Sequence, residues 1–222
     1  MRVACEAGSA VADAPALTLE NGLVLTYGEI NGFAGDYFGF EEPISSESSV
    51  TERKARFQRW FDLLGVAPGG KLKAEALRSE LKLVNDQADS VLRSPTGGTA
   101  HELAVVYEKT PLDIRHLDTI SKDPRWGPNG AQFMRLLETN VDHFGAEARI
   151  AYNTGHTLAL EWASKGQFQK ALAINGFADH FLEDSFAAGH LRVPRALIME
   201  VSKSAAAYVD KVVNAYANVG LS

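Results

Sequence analysis

The chain has 222 residues, 45% hydrophobic and 23% charged, which suits one ordinary domain and excludes a disordered, collagenous or mucin-like polymer. Its net charge of −6 argues against a broad basic face for duplex nucleic acid. A single cysteine, Cys5, excludes an internal disulfide, a zinc finger or an iron–sulfur centre, so any metal must rest on the six histidines and on carboxylates.

The N-terminal fifth is mixed. Asn21-Gly22 between short apolar pieces predicts a small hairpin over 17–23. Thr26 is a capping residue for a short helix that runs toward Gly39. Residues 41–50, with Pro43 and four serines, read as a mobile surface loop. The pattern then turns helical. Arg56, Phe57, Trp60, Phe61 and Leu64 form one stripe, closed by Gly65 and Pro68. Further amphipathic helices are predicted over 71–92, over 99–109 with Thr99 as cap, over 132–165 with Gly145 and Gly155 as weak points, over 168–188, and over 196–218. Gly127-Pro128-Asn129-Gly130 reads as a turn. The expectation is one all-α domain spanning 1–222, a multi-helix bundle with an irregular N-terminal segment.

Two motif matches carry no chemistry. Gly65 to Lys71 spells most of a phosphate-binding loop, but Leu72 replaces the required hydroxyl and the segment follows a helix, so it reads as a helix–helix turn. Ser79-x-x-Lys82 lies on a charged helix without companion motifs, and reads as a solvated face.

The informative stretch is Asn175 to Arg192. His180 and Asp184 are four residues apart, about 40° around a helix, and His190 falls about 80° to the other side if the helix persists to Gly189. Two imidazoles and a carboxylate on a face otherwise lined by Phe177, Phe181 and Phe186 are a donor set for zinc, because burying them without a partner would be costly. His156 lies in a helix of small residues and adds a further ligand. His143 beside Asp142 is another, provided the helix is unbroken at Gly145. His101 and His116 read as surface residues.

His180-x3-Asp184-x5-His190, the strings Asn140-Val-Asp-His-Phe-Gly and Ala151-Tyr-x-x-Gly-His, and Leu25 to Gly39 together resemble the bacterial zinc metallophospholipases C, whose superfamily also holds single-strand zinc nucleases. The resemblance covers most of residues 22–195 and is most specific over 180–195. It implies a helical fold with two or three zincs in a cleft. His180 and Asp184 match ligands of the inner site, with His156 as the best candidate for the histidine that precedes them. Asp36 matches the family's early aspartate, at the metals and often assigned as general base, and His190 matches a ligand of the neighbouring zinc. Arg192 and Arg195 are candidate phosphate contacts.

The resemblance further implies hydrolysis of a phospholipid of the phosphatidylcholine type to diacylglycerol and a phosphorylated head group, with transient contact at a membrane surface. It also implies a secreted or translocated bacterial protein, although no signal peptide is visible. Aromatics at 37–40 and the loop at 41–50 are expected to flank the cleft and meet lipid. The family's usual His-x3-Glu after the motif is absent: beyond His190 the chain has no histidine, and Glu200 and Asp210 are its only acids. The first tryptophan is Trp60, so an N-terminal Trp ligand for a third zinc is missing too. The alternatives are a single-strand nuclease or phosphatase with the same metals, or a non-catalytic helical domain with a degenerate metal site.

Overall fold

The computed structural model describes residues 16–46, 49–95, 97–109, 114–126, 130 and 132–219. Cys5 and, of the turn expected at 127–130, residues 127–129 lie outside them.

Among the described residues the fold is all-α, with one two-stranded hairpin. β1 (Leu17–Thr18) pairs antiparallel with β2 (Val24–Leu25), and Gly22 takes φ +78° in the connecting turn. Asn21 Nδ2 donates to the carbonyls of Leu64 and Ala67 at 2.8 and 2.9 Å, which ties the hairpin to the end of a helix. α1 (Tyr27–Phe33) opens on a complete capping box between Thr26 and Glu29. It stops six residues before Gly39, because Gly35 turns the chain with φ +66°.

The stretch 41–50 is anchored rather than only a surface loop. Ile44 is fully buried in a 3-10 turn (Ile44–Ser46), and its backbone N–H and that of Ser45 donate to the Asp142 carboxylate at 2.5 and 3.1 Å.

α2 (Val50–Gly65) buries Phe57, Trp60, Phe61 and Leu64 as its stripe requires. α3 (Pro68–Leu92) starts earlier than Lys71, with Pro68 in its first turn where the missing N–H costs nothing. The glycines of the loop-like motif are packing positions: a Cβ on Gly69 would lie 2.1 Å from the Trp126 carbonyl oxygen, and one on Gly70 2.0 Å from that of Leu63. α4 (Ala100–Lys109) begins at the Thr99 cap. α5 (Ile114–Ser121) and α6 (Phe133–Thr139) precede a 3-10 turn (Val141–His143).

α7 (Gly145–Ser164) and α8 (Phe168–Asp184) then form a helical hairpin. Of the two expected weak points, Gly145 is a true break at φ +54°, and Gly155 is not. Gly155 stays helical, and a Cβ there would sit 2.2 Å from Phe57 and 2.7 Å from Ala178 Cβ. Its missing side chain lets α2, α7 and α8 approach closely. Around it Phe57, Trp60, Phe61, Phe177 and Phe181 pack edge-on or tilted, with ring centroids 5.6–6.4 Å apart. α8 ends at Asp184 rather than Ala188, in turns through Ala187 and His190. α9 (Arg195–Val219) closes the described chain.

Candidate metal centre

Four parts of the chain converge at one end of the α7–α8 hairpin. Asp36 comes from the turn after α1, His143 from the 3-10 turn before α7, His180 and Asp184 from the last two turns of α8, and His190 from the segment beyond it. The segment carrying Asp36 is held from below: Tyr37 stacks on Phe133 at 5.0 Å, and the buried Lys73 Nζ donates to the Tyr37 carbonyl at 2.5 Å. Burial pushes the Lys73 ammonium down to about 8.

The ligating atoms of Asp36, His143 and His180 all lie within 4.8 Å of one another. His143 Nδ1 donates to Asp184 Oδ2 at 2.6 Å. His180 Nε2 is 3.3 Å from His143 Nδ1 and 3.5 Å from the same Asp184 oxygen. His190 Nδ1 is 3.1 Å from the other oxygen of Asp184, and its ring lies against Phe144 at 4.4 Å. Gly35 makes the cradle. A Cβ there would fall 2.8 Å from both the His143 and His180 rings. The side chains grade outward from His143, 4% exposed, through His180 at 12%, Asp184 at 17% and His190 at 29%, to Asp36 at 35%.

The electrostatics follow from this crowding. Burial alone would lower His143. Its bond to Asp184 and the charges of Asp36, Asp184 and Asp142 outweigh that and hold it above the ordinary histidine value. His180 is pushed down by burial and by the neighbouring His143. Asp184 is raised by burial but ends below the usual carboxylate range, because His143 donates to it and His180, His143 and His190 surround it. No lysine or arginine among the described residues pairs with Asp36 or Asp184. Asp36, His143 and His180, with Asp184 and His190 packed against them and no fixed cation beside them among the described residues, are a donor set that fits zinc.

Of the six residues expected at the metals, the structure brings together Asp36, His143, His180, Asp184 and His190, and sets His156 apart. α7 begins at Gly145, so His156 stands roughly 17 Å along the helix from its start. There its Nδ1 meets Asn175 Oδ1 at 2.7 Å and its ring stacks on Tyr152. The histidine set against Asp36 and His180 is therefore His143. Its neighbour Asp142 points to Ile44 and Ser45 instead. His190 arrives by the turns after Asp184, not on a continued helix.

Phe177 and Phe181 are core residues as expected, whereas Phe186 is 74% exposed. Tyr37 and Phe38 are buried and Phe40 is half-buried, so the aromatics at 37–40 pack mainly inward. Arg192 is exposed, two residues after His190 in the chain. Arg195 donates through Nη2 to the carbonyls of Leu137 and Glu138 at 3.2 and 3.0 Å, holding the end of α6. Glu200 lines a separate cleft with Arg192 and Leu197. His101 and His116 are exposed, His116 against Glu80. Sequence reasoning missed Gly35 as the cradle and Asp142 as the clamp on the preceding loop. A glycine directly before Asp36 and an aspartate directly before His143 were the available signals.

Comparisons of the chain with protein-family models, with characterised proteins and with solved structures find no match.

Proposed function

We propose that this chain is a zinc-dependent phosphodiester hydrolase of the phospholipase C type, cleaving phosphatidylcholine-like lipids to diacylglycerol and a phosphorylated head group. The observation that carries the reading is the convergence of Asp36, His143, His180, Asp184 and His190 into one partly open cluster without a lysine or arginine partner. Asp36, His143, His180 and Asp184 would hold one zinc. Asp184 and His190 would contribute to a second, with solvent or substrate oxygens completing it. When bound, the metal supplies a water of lowered pKa and neutralises charge on the phosphoryl oxygens.

The chain's own residues do the rest. Asp36, the most exposed of the five, is placed to accept a proton from an attacking water through a carboxylate oxygen. Without metal His143 Nδ1 donates to Asp184, and it would give up that proton to ligate, so zinc uptake would release a proton. Arg192 is free to meet a phosphate, while Arg195 is engaged with α6. The net charge of −6 favours a neutral or cationic head group over a polyanion.

Metal analysis of the purified protein, followed by parallel assays on phosphatidylcholine and single-stranded DNA, tests this reading. The expected result is bound zinc and release of diacylglycerol, abolished by a chelator. Absence of zinc together with no diesterase activity after zinc addition would overturn it in favour of a non-catalytic domain. Cleavage of DNA alone would move it to the nuclease branch.

A further inference from the structure

Apolar side chains crowd the surface on the segment that carries His190. Phe186 is 74% exposed and Leu191 52% exposed. Phe186 stands two residues after Asp184 and Leu191 directly after His190, and both line a cleft of about 660 Å³ with Leu182, Tyr152 and Arg149. The apolar surface continues onto α9, where Leu197, Ile198, Val201, Tyr208 and Val209 are 44–69% exposed. At 100° per residue these five fall within an arc of about 120°, with Glu200, Lys203, Asp210 and Lys211 on the opposite side. From Glu200 onward, every α9 residue whose side-chain burial is described is exposed. Soluble monomers rarely leave so continuous an apolar stripe uncovered.

Charge narrows the choice of partner. Residues 191–219 carry Arg192, Arg195, Lys203 and Lys211 against only Glu200 and Asp210, in a chain of net charge −6. Arg192, Lys203 and Lys211 make no ion pair among the described residues. A second copy would set this basic segment against its like in a two-fold contact. The phosphates of a lipid surface complement it instead. No helix among the described residues is long and apolar enough to cross a membrane, so the contact is peripheral.

We propose that Phe186, Leu191 and the apolar face of α9 seat the protein on a phospholipid bilayer, with the rim of the His190 segment turned toward the lipid. This rests on the phospholipase reading, which makes lipid the substrate. The α9 face lies in the head-group layer with Lys203 and Lys211 reaching up to the phosphates, and Phe186 and Leu191 dip in beside the cluster.

Sedimentation with phosphatidylcholine vesicles, with and without a minority of phosphatidylserine, tests the surface directly. The wild-type protein is expected to co-sediment, more strongly when phosphatidylserine is present. Two variants on different elements, Phe186→Ser/Leu191→Ser and Val201→Glu/Tyr208→Glu, are each expected to bind at least ~10-fold more weakly. Both are expected to keep their helical circular dichroism and to hydrolyse a monomeric short-chain phosphatidylcholine within ~2-fold of wild type. Unchanged vesicle binding in both variants overturns the proposal. So does a wild-type dimer, seen by sedimentation velocity, that fails to bind vesicles and becomes monomeric with the α9 variant. A wild-type protein that binds vesicles through these residues but hydrolyses no phospholipid defeats the phospholipase reading and leaves the surface assigned.

Discussion

The two histidine networks of the α7–α8 hairpin differ in how their polar atoms are satisfied. Around His156 the donors and acceptors match one to one. The imidazole donates to Asn175, the Asn175 amide donates to Tyr27, and the Tyr27 hydroxyl donates to Asp179 at 2.6 Å. Around His143 and His180, three rings crowd two carboxylates and the balance depends on which ring holds a proton. A chain of hydrogen bonds that runs donor to acceptor and ends on the Asp179 carboxylate is complete as it stands. A cluster of lone pairs and negative charge without a fixed cation is improved by one. The residue type is the same in both places, and the neighbours decide what it is for.

Substitution at each end separates the two. His180→Ala should lower zinc content and reduce phosphodiesterase activity by at least ~100-fold, measured by metal analysis and kcat/KM. Activity and zinc content equal to wild type would remove the cluster from the proposed chemistry.

Asp142→Ala tests the clamp behind the cluster. It strips the acceptor from one buried and one part-buried backbone N–H and should cost about 2 kcal/mol in urea unfolding. Gly35→Ala acts from the front. The φ of +66° and the 2.8 Å approach to both rings should cost about 1–2 kcal/mol and weaken zinc binding ~10-fold, readable by competition with a chelating dye.

The closed network should answer to pH instead. Burial and the Asp179 carboxylate hold the Tyr27 hydroxyl well above its ordinary value, so the folded state keeps that proton longer than the unfolded chain. The resulting stability is present below about pH 10 and is lost as pH rises further. Thermal melting of the wild type should therefore fall more steeply above pH 10 than that of Tyr27→Phe. Equal slopes would show that the network is not closed as described. The smallest effect is expected at His156→Ala, with zinc content unchanged and activity within ~2-fold.

Much of this was legible in the sequence where local rules suffice. The Thr26 and Thr99 caps, the Asn21-Gly22 turn and the Phe57–Leu64 stripe follow from capping and periodicity alone. The motif from His180 to His190 was visible as a pattern, but its geometry was not. His190 reaches Asp184 through non-helical turns that helical spacing cannot describe. The choice between His143 and His156 depended on which glycine breaks the helix. Gly145 and Gly155 look alike in sequence, and only the packing of Phe57 and Ala178 against Gly155 shows that this one is a glycine for close approach rather than for a break. The inward packing of Tyr37 and Phe38 was equally hidden, since it depends on Phe133 and Lys73, far along the chain.

The aromatic layer of Phe57, Phe177 and Phe181 lies directly beneath the cluster, Phe181 touching the rings of both His143 and His180. The platform on which the ligands stand is therefore hydrocarbon and independent of any ion. Such a chain would fold first and take up the proposed zinc afterwards, with Asp36, the outermost of the five, as the point of entry. A chelator should then silence the protein reversibly while its helices melt as one cooperative unit with or without the metal.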